Sequence, residues 1–322
     1  MKNSLLEITN FLNSKQYHTG TAIGAQLGIT RSAVWKAIKK LQFYGVNIIS
    51  KGKEGYFLAE PLVLLNQTLL QKKIKNMQIE VFENITSTND YLLSQTKTTH
   101  PRLCLAEQQT QGRGRLGRQW YSPFGRNIYL SLQYPMQKDI SELAGLSLIV
   151  GLATAKTLQP YLGKEKCGVK WPNDVICQHK KLAGNLIEVQ AEAHYVSQVI
   201  IGIGMNVNVQ KKAGKSIDQP WTSLLEVTGK YTDRNALAVV LVENLLSYLQ
   251  RFEQQGLAPF LKEWEKLDVL FHQKISVKNL NHITQGQAQG INAHGQLLLK
   301  LPNGKVQAFS SGDTSLHHSS NS

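Results

Sequence analysis

The sequence predicts an α+β protein in three parts: an N-terminal winged helix-turn-helix, a central domain on a mixed sheet, and a small C-terminal β barrel. Three patterns predict this fold. Helical periodicity and a basic helix mark the N-terminal part, strands and helices alternate from about residue 80, and short strands with glycine and asparagine turns fill the C-terminal part. We place the domains at residues 1–60, 61–269 and 270–317, and we expect residues 318–322 to form a disordered tail.

Composition and charge narrow the class of protein. The chain has 36 Lys+Arg against 22 Asp+Glu, a net charge of +14, which suits a polyanionic partner, although a merely soluble basic protein has the same balance. No run reaches the roughly 18 apolar residues of a membrane span, and the start lacks the apolar run of a signal peptide. Three cysteines without C-x-x-C spacing predict neither a disulfide framework nor a zinc site. We therefore expect a cytoplasmic protein with no membrane partner.

The N-terminal part has the pattern of a winged helix-turn-helix. Apolar residues recur at helical spacing in residues 5–12, and a second short helix ends at Gly28, a residue type that suits a left-handed helix end. Thr30 is the expected N-cap of a third helix, Arg31–Phe43. Two short strands around a lysine-bearing turn follow in residues 46–58 and predict a wing.

The third helix has an apolar face and a basic outer face, as expected of a helix that enters the DNA major groove. The alternative is a protein-binding module whose basic face is merely solvated. Trp35 is ambiguous, and we favour its packing against the wing over a DNA contact. The candidate DNA-binding residues are Arg31, Ser32, Trp35, Lys36, Lys39, Lys51 and Lys53.

The most specific motif is the arginine–glycine loop, residues 112–120, in which three glycines alternate with three arginines. It lacks the Gly-Lys-Ser/Thr ending of a P-loop. Glycine lets a backbone approach a ligand closely, and arginine binds phosphate and carboxylate through paired donors. We expect this loop to repel itself and stay mobile until an anionic ligand orders it. The alternatives are a nucleic-acid-binding arginine–glycine segment and a flexible surface loop, although a single copy between a strand and an aromatic run argues against low complexity.

Two downstream clusters are able to complete an anion site. Residues 170–175 contain an Asn-Asp turn, and Lys181 begins a strand whose apolar neighbours would bury its stem. Such a lysine places a point charge near a developing phosphate, although an isolated Lys181 would be an ordinary hairpin residue. Residues 202–208 end a strand with glycines and asparagines, which a plain turn explains equally well.

These clusters, together with Ser87-Thr88-Asn89, have a known order and spacing: the chain resembles the bifunctional biotin–protein ligases that also repress biotin-synthesis genes. The resemblance covers nearly the whole chain. It implies a class II synthetase-like catalytic domain and an SH3-like C-terminal barrel. It also implies that ATP and biotin are substrates, that biotinyl-5′-adenylate forms with loss of pyrophosphate, and that biotin then passes to a lysine of a biotin carboxyl carrier protein. An adenylate-bound homodimer would bind the operator DNA of biotin-synthesis genes.

The resemblance also assigns roles to single residues, and no metal ligand set is among them. Catalytic roles fall to Lys181, Arg115, Arg118 and Asp174, the last for Mg²⁺ or for orienting the incoming lysine. Residues that would line the biotin site are Ser87, Thr88, Asn89, Gln109, Gly112, Arg113, Gly114, Arg115 and Lys181. Nucleotide contacts would come from Arg118, Trp120 and Asn206. His317 is a departure, since relatives often carry arginine there.

Three other hypotheses remain. The first is a monofunctional biotin ligase that does not bind an operator. The second is a non-catalytic, biotin-sensing transcriptional regulator, which predicts ligand binding without pyrophosphate release; Lys181 and the three loop arginines argue against it. The third is a lipoate or octanoate transferase with a related core, against which the arginine–glycine loop and the DNA-binding module argue.

Overall fold

A computed structural model describes residues 4–96, 98–190, 197–211, 217, 219–279 and 282–316. His317 and the expected tail lie outside the described residues. The N-terminal elements are α1 (Ser4–Leu12), α2 (Gly20–Leu27), α3 (Arg31–Phe43), β1 (Ile48–Lys51) and β2 (Gly55–Leu58). The two strands pair antiparallel, from Ile48 opposite Leu58 to Lys51 opposite Gly55. The predicted helix-turn-helix with a wing is confirmed.

The central part is a seven-stranded sheet in the order β3-β4-β5-β9-β8-β7-β6. Its strands are β3 (Gln78–Phe82), β4 (Arg102–Ala106), β5 (Ile128–Met136), β6 (Cys167–Lys170), β7 (Asp174–Cys177), β8 (Lys180–Gln190) and β9 (Ser197–Met205). Only the pair β3–β4 among these described pairings is parallel, which makes the sheet mixed, as predicted. The helices are α4 (Gln67–Lys73), α5 (Thr88–Leu93), α6 (Leu146–Leu158), α7 (Leu224–Thr228), α8 (Arg234–Gln255) and α9 (Leu261–Leu267).

The C-terminal part is a five-stranded antiparallel sheet in the order β13-β12-β11-β10-β14. Its strands are β10 (Lys274–Asn279), β11 (His282–Ile291), β12 (Leu297–Lys300), β13 (Val306–Phe309) and β14 (Asp313–Leu316). The sequence pattern predicts four of them and misses β14, because that strand has one strongly apolar residue and pairs only with β10.

Two of the three apolar clusters in the described residues join the three parts of the chain. The larger contains α6 and α8, the central sheet, and inward residues of the C-terminal sheet such as Ile275 and Leu299. The smaller belongs to the helix-turn-helix, but Leu62, Leu64 and Phe124 also pack into it. By length and composition the segment Ile140–Tyr161 is able to cross a membrane, yet 61% of its most apolar window is buried in the protein, as in a core helix. The predicted domain boundaries therefore stay a prediction, since apolar packing crosses both of them.

Candidate active site and DNA-binding surface

The outer face of α3 and the tip of the β1–β2 hairpin form the candidate DNA-binding surface. Thr30 caps α3 by accepting a hydrogen bond from Ala33 N at 3.2 Å, and Gly28 ends α2 in the left-handed region with φ of 67°. The segment between Gly28 and Thr30 connects α2 to α3. One face of α3 is buried against the other N-terminal elements, and the opposite face is exposed to solvent. The residues predicted to contact DNA are all exposed: Arg31, Ser32, Trp35, Lys36, Lys39, Lys51 and Lys53.

Trp35 lies on the exposed side of α3, and its packing against the wing remains a prediction. Its side chain is 51% exposed, and the Lys39 ammonium lies 6.0 Å from its ring centre. The two residues lie one helical turn apart, so they form a cation–aromatic pair on the outer face of α3. On the wing, Lys51 pairs with Glu54 at 2.8 Å.

The arginine–glycine loop is a short hairpin. Trp120 N donates to Gly112 O at 2.8 Å, and Gly114 N donates to Arg118 O at 2.7 Å. A Cβ at residue 112 would lie 2.7 Å from Ser122 Oγ, so this position requires glycine. At the tip, Leu116 has φ of 55° and is 73% exposed. The expectation that this loop stays mobile until an anionic ligand orders it remains a prediction.

Carboxylates from distant segments neutralise part of the charge that would make the loop repel itself. Arg113 forms ion pairs with Asp90 and Glu188. Arg118 forms an ion pair with Asp313 of β14, so the C-terminal sheet also holds the loop. The middle arginine is different: Arg115 Nη1 donates to the amide oxygen of Asn173 at 3.3 Å.

Six charged groups converge where the loop meets β6, β7 and β8, and we call them the cationic cluster. Lys181 Nζ pairs with Asp174 Oδ1 at 2.8 Å, and both side chains are largely buried. Burial lowers the pKa of Lys170, and Asp174 partly opposes that shift. Burial likewise lowers the pKa of Arg115, against the opposing charges of Asp313 and Asp174. The members are Lys170, Lys181, Arg115, Arg118, Asp174 and Asp313, four cations against two anions.

Trp120 covers the end of β9 beside this cluster. The Lys181 ammonium lies 5.4 Å from its ring centre, and its indole N–H has no hydrogen-bond acceptor in the described part of the chain. The ring lies directly over Gly204, where any Cβ would overlap it. Glycine at 204 is therefore what lets the indole rest on the strand.

The predicted biotin residues form a hydrogen-bonded floor on the far side of Trp120. Ser87 caps α5 by accepting a hydrogen bond from Asp90 N at 3.3 Å. Thr88 donates to Gln109 Oε1 from its backbone and its hydroxyl, at 2.9 and 3.0 Å. Asn89 accepts a hydrogen bond from Ser131 Oγ at 2.6 Å. The floor is therefore held by side chains from α5, β5 and the segment before the loop.

The carboxamide of Asn206, a predicted nucleotide contact, turns inward, where its oxygen accepts a hydrogen bond from Asn127 Nδ2 at 3.3 Å. Asn206 N donates to Leu182 O at 2.9 Å, which keeps the residue next to Lys181. Trp221, which the sequence analysis did not select, pairs through its backbone with Lys181. Trp221 belongs to no motif in the sequence, and it lies 40 residues from Lys181 along the chain, so only the fold reveals that they are neighbours.

Sequence reasoning also missed four charged residues of the site. Lys170 lies inside residues 170–175, and Glu188 lies on the strand that contains Lys181, but neither received a role. Asp90 and Asp313 pair with loop arginines 23 and 195 residues away. The described residues hold no group of three or more His, Cys, Asp and Glu side chains able to bind a metal ion, and all three cysteines are free and buried.

Comparisons with known proteins agree with this arrangement. The model of the Biotin/lipoate A/B protein ligase family matches residues 81–206, an HTH domain model matches residues 3–57, and the Biotin protein ligase C terminal domain matches residues 273–316. Fold and site thus define the class: a ligase core with its own C-terminal domain, joined to a DNA-binding helix-turn-helix.

The relatives narrow the class further. The bifunctional ligase/repressor BirA of Escherichia coli (strain K12) is 36% identical over 97% of this chain and 96% of its own length. The protein of the same description from Bacillus subtilis (strain 168) is 31% identical, over 92% of this chain and 93% of its own. The solved biotin protein ligase from Aquifex aeolicus in complex with biotin and ATP covers 75% of this chain and 99% of its own, with a TM-score of 0.66 and 28% identity. The chain belongs to the family of bifunctional biotin ligase/repressors.

Proposed function

We propose that this chain joins biotin and ATP into biotinyl-5′-adenylate and transfers the biotinyl group to a lysine of a biotin carboxyl carrier protein. The observation that carries the proposal is the convergence of Arg115 and Lys181 beside Trp120, over strands β7 to β9. In the first step a carboxylate oxygen of biotin attacks the α-phosphorus of ATP, and pyrophosphate leaves with the electrons of the broken P–O bond.

Two anions must meet in that step, so positive charge has to lie between them. Arg115 is well suited because its described contact is the neutral Asn173, and burial strengthens its interaction with an incoming anion. Lys181 supplies a second cation, and its partner Asp174 keeps that ammonium in place until substrate arrives. Arg118 and Lys170 extend the positive field toward the leaving pyrophosphate.

Mg²⁺ would enter with the ATP phosphates, whose charge it helps to neutralise. Mg²⁺ usually takes one or two protein carboxylates plus phosphate oxygens, and Asp174 is a single carboxylate within the cationic cluster. A single carboxylate therefore fits a Mg²⁺ ion that is held mainly by the ATP phosphates, with Asp174 as its protein ligand.

The floor residues Ser87, Thr88, Asn89 and Gln109 would hold the head of biotin, with the backbone of Gly112 and Gly114 above them. Trp120 would cover the acyl phosphate on the nucleotide side, and Asn206 would face the base. A site closed by the loop excludes water, which protects the mixed anhydride from hydrolysis.

In the second step the amine of the acceptor lysine attacks the acyl carbon, and the bond to the AMP oxygen breaks. An ordinary lysine has a pKa of about 10.4, so the amine must lose a proton before it attacks. Asp174 is our candidate for orienting that amine, since its salt bridge to Lys181 holds the carboxylate within the cationic cluster.

Incubation with ATP, labelled biotin and a biotin-carrier domain tests the proposal directly. Mass analysis should find one biotinyl group on the carrier's lysine, with stoichiometric AMP and pyrophosphate. An unmodified carrier, with labelled biotin recovered intact, would contradict it.

We further propose that the adenylate-bound protein dimerises and places two helix-turn-helix units on the operator DNA of biotin-synthesis genes. A two-fold dimer predicts half-sites separated by whole turns of the double helix. Such a protein would work in the cytoplasm, where both DNA and carrier are found. A gel shift with and without biotin and ATP tests this half, and binding that ignores both substrates would contradict it.

A further inference from the structure

Arg113 forms ion pairs with two protein carboxylates, whereas Arg118 pairs with one and Arg115 donates to an amide oxygen. Arg113 Nη2 donates to both oxygens of Glu188, at 3.0 and 2.9 Å, and also contacts Asp90. Two carboxylates thus surround one guanidinium, which leaves Arg113 with little charge for a substrate phosphate. Its position points to a mechanical role instead.

Glu188 connects this arginine to the floor of the site. The carboxylate of Glu188 accepts a hydrogen bond from Asn89 Nδ2 at 2.8 Å, while the oxygen of Asn89 accepts one from Ser131 Oγ at 2.6 Å. A single carboxylate on β8 therefore joins the floor residue Asn89 to the loop residue Arg113.

Arg113 lies at the root of the hairpin, where its position fixes the rest of the loop. It pairs through its backbone with Gln119, and the next residue, Trp120, lies over Gly204 and Lys181. At the tip, Leu116 is 73% exposed, while its neighbours Arg115 and Arg118 contact Asn173 and Asp313. Fixing the root is therefore what keeps Trp120 in place.

We propose that Glu188 is a positioning residue for the ligase reaction: through Arg113 it keeps the arginine–glycine loop closed, and through Asn89 it couples that closure to the floor of the biotin site. This inference rests on the proposed ligase function. A partly exposed ion pair contributes little to global stability. Local opening of a loop, however, requires much less free energy than unfolding, so the same pair is able to set the open fraction.

The test is the rate at which preformed biotinyl-5′-adenylate leaves the full-length protein, measured by chase with unlabelled biotin and ATP. Glu188→Gln keeps the shape and removes the charge, and we expect release to quicken roughly tenfold. Arg113→Gln should do the same. The double variant should release no faster than either single variant, because both act through one contact. Arg113→Lys, which keeps the charge but loses the planar guanidinium, should recover part of the loss.

A matched control is Glu253→Gln, a carboxylate on α8 that accepts a hydrogen bond from Tyr134 and lies outside the loop; it should leave release unchanged. Release from Glu188→Gln at the wild-type rate, or additive effects in the double variant, would overturn the inference. So would faster release accompanied by a large fall in Tm in both Glu188→Gln and Arg113→Lys, which would mark a purely structural role. A wild-type protein that forms no adenylate would instead remove the proposed ligase function.

Discussion

The rings of Tyr44 and Phe124 stack nearly parallel, with centroids 4.4 Å apart and an interplanar angle of 10°. Tyr44 ends α3, the helix proposed to enter the DNA groove, and Phe124 lies four residues after Trp120 in the active site. Lys40 on the same helix forms an ion pair with Glu83. A cavity of about 550 Å³ beside the stack is lined from both sides, by Tyr44 and by residues on either side of the loop. The end of α3 thus packs directly against the segment that follows the arginine–glycine loop.

This contact predicts that Tyr44→Ala weakens the dependence of DNA binding on biotin and ATP. An aromatic pair contributes about 0.5–1.5 kcal/mol, so the ratio of operator affinities with and without substrates should fall roughly two- to tenfold. Gel-shift titrations measure that ratio. Tyr44→Phe keeps the ring and serves as the control; an unchanged ratio in Tyr44→Ala would show that the stack does not couple the two sites.

Lys181→Ala should reduce the rate of adenylate formation at least tenfold, about 1.4 kcal/mol, because it removes a cation from between two anions. Pyrophosphate release measures the rate. Lys180→Ala is the control, since Lys180 is the exposed neighbour on the same strand. Wild-type turnover in Lys181→Ala would remove this lysine from the mechanism.

Arg115→Ala should weaken retention of the adenylate while leaving thermal stability nearly unchanged. Its described hydrogen bond is to Asn173 at 3.3 Å, and Arg115 belongs to none of the three apolar clusters of the described residues. Adenylate release and a thermal melt measure the two quantities. The control is Leu116→Ala, which changes an uncharged residue of the same loop and should match the wild type in adenylate release and in Tm. A large fall in Tm in Arg115→Ala would contradict this prediction.

Gly204→Ala should displace the Trp120 indole, because the added methyl group would overlap the ring. We expect a shift in tryptophan fluorescence and a KM for biotin raised by roughly tenfold or more. Gly151→Ala is the contrasting variant, since its Cβ would meet nothing nearer than 3.8 Å. That change lies inside α6 and should raise stability by up to about 1 kcal/mol. A wild-type KM for biotin in Gly204→Ala would show that biotin binding does not depend on the contact between Trp120 and Gly204.

Asp268 should make stability fall as pH rises from about 4 to 6. Burial raises its pKa from 3.8 to about 6, despite hydrogen bonds from Leu270 N and Trp264 Nε1. The folded protein therefore holds a proton that the unfolded chain has released, and this contribution is complete below pH 4 and lost above pH 6. The loss is on the order of 3 kcal/mol. Denaturant unfolding of the wild type and Asp268→Asn across this pH range measures it; a difference between them that is independent of pH would contradict the prediction.

The sequence was sufficient where local pattern decides structure. The apolar spacing of α3 and the glycine at residue 28 predict the helix-turn-helix, because capping and periodicity act within a few residues. The partners of the loop arginines could not be predicted in the same way. Glu188 lies 75 residues from Arg113, and Asp313 lies 195 residues from Arg118, on a strand whose polar composition hides it. Pairs brought together by the fold leave no periodic signal, so these ion pairs of the loop could not be predicted from the sequence.

The shared larger core has a consequence for building chimaeric proteins. Ile275 and Leu299 of the C-terminal sheet pack into the same core as α6 and α8, and Trp171 Nε1 donates to Gly295 O at 3.1 Å across the junction. Grafting residues 270–316 from a relative would pair two half-cores of different shape and move the carboxylate of Asp313 away from Arg118. A viable hybrid should therefore inherit the sheet, both long helices and the C-terminal strands from one parent.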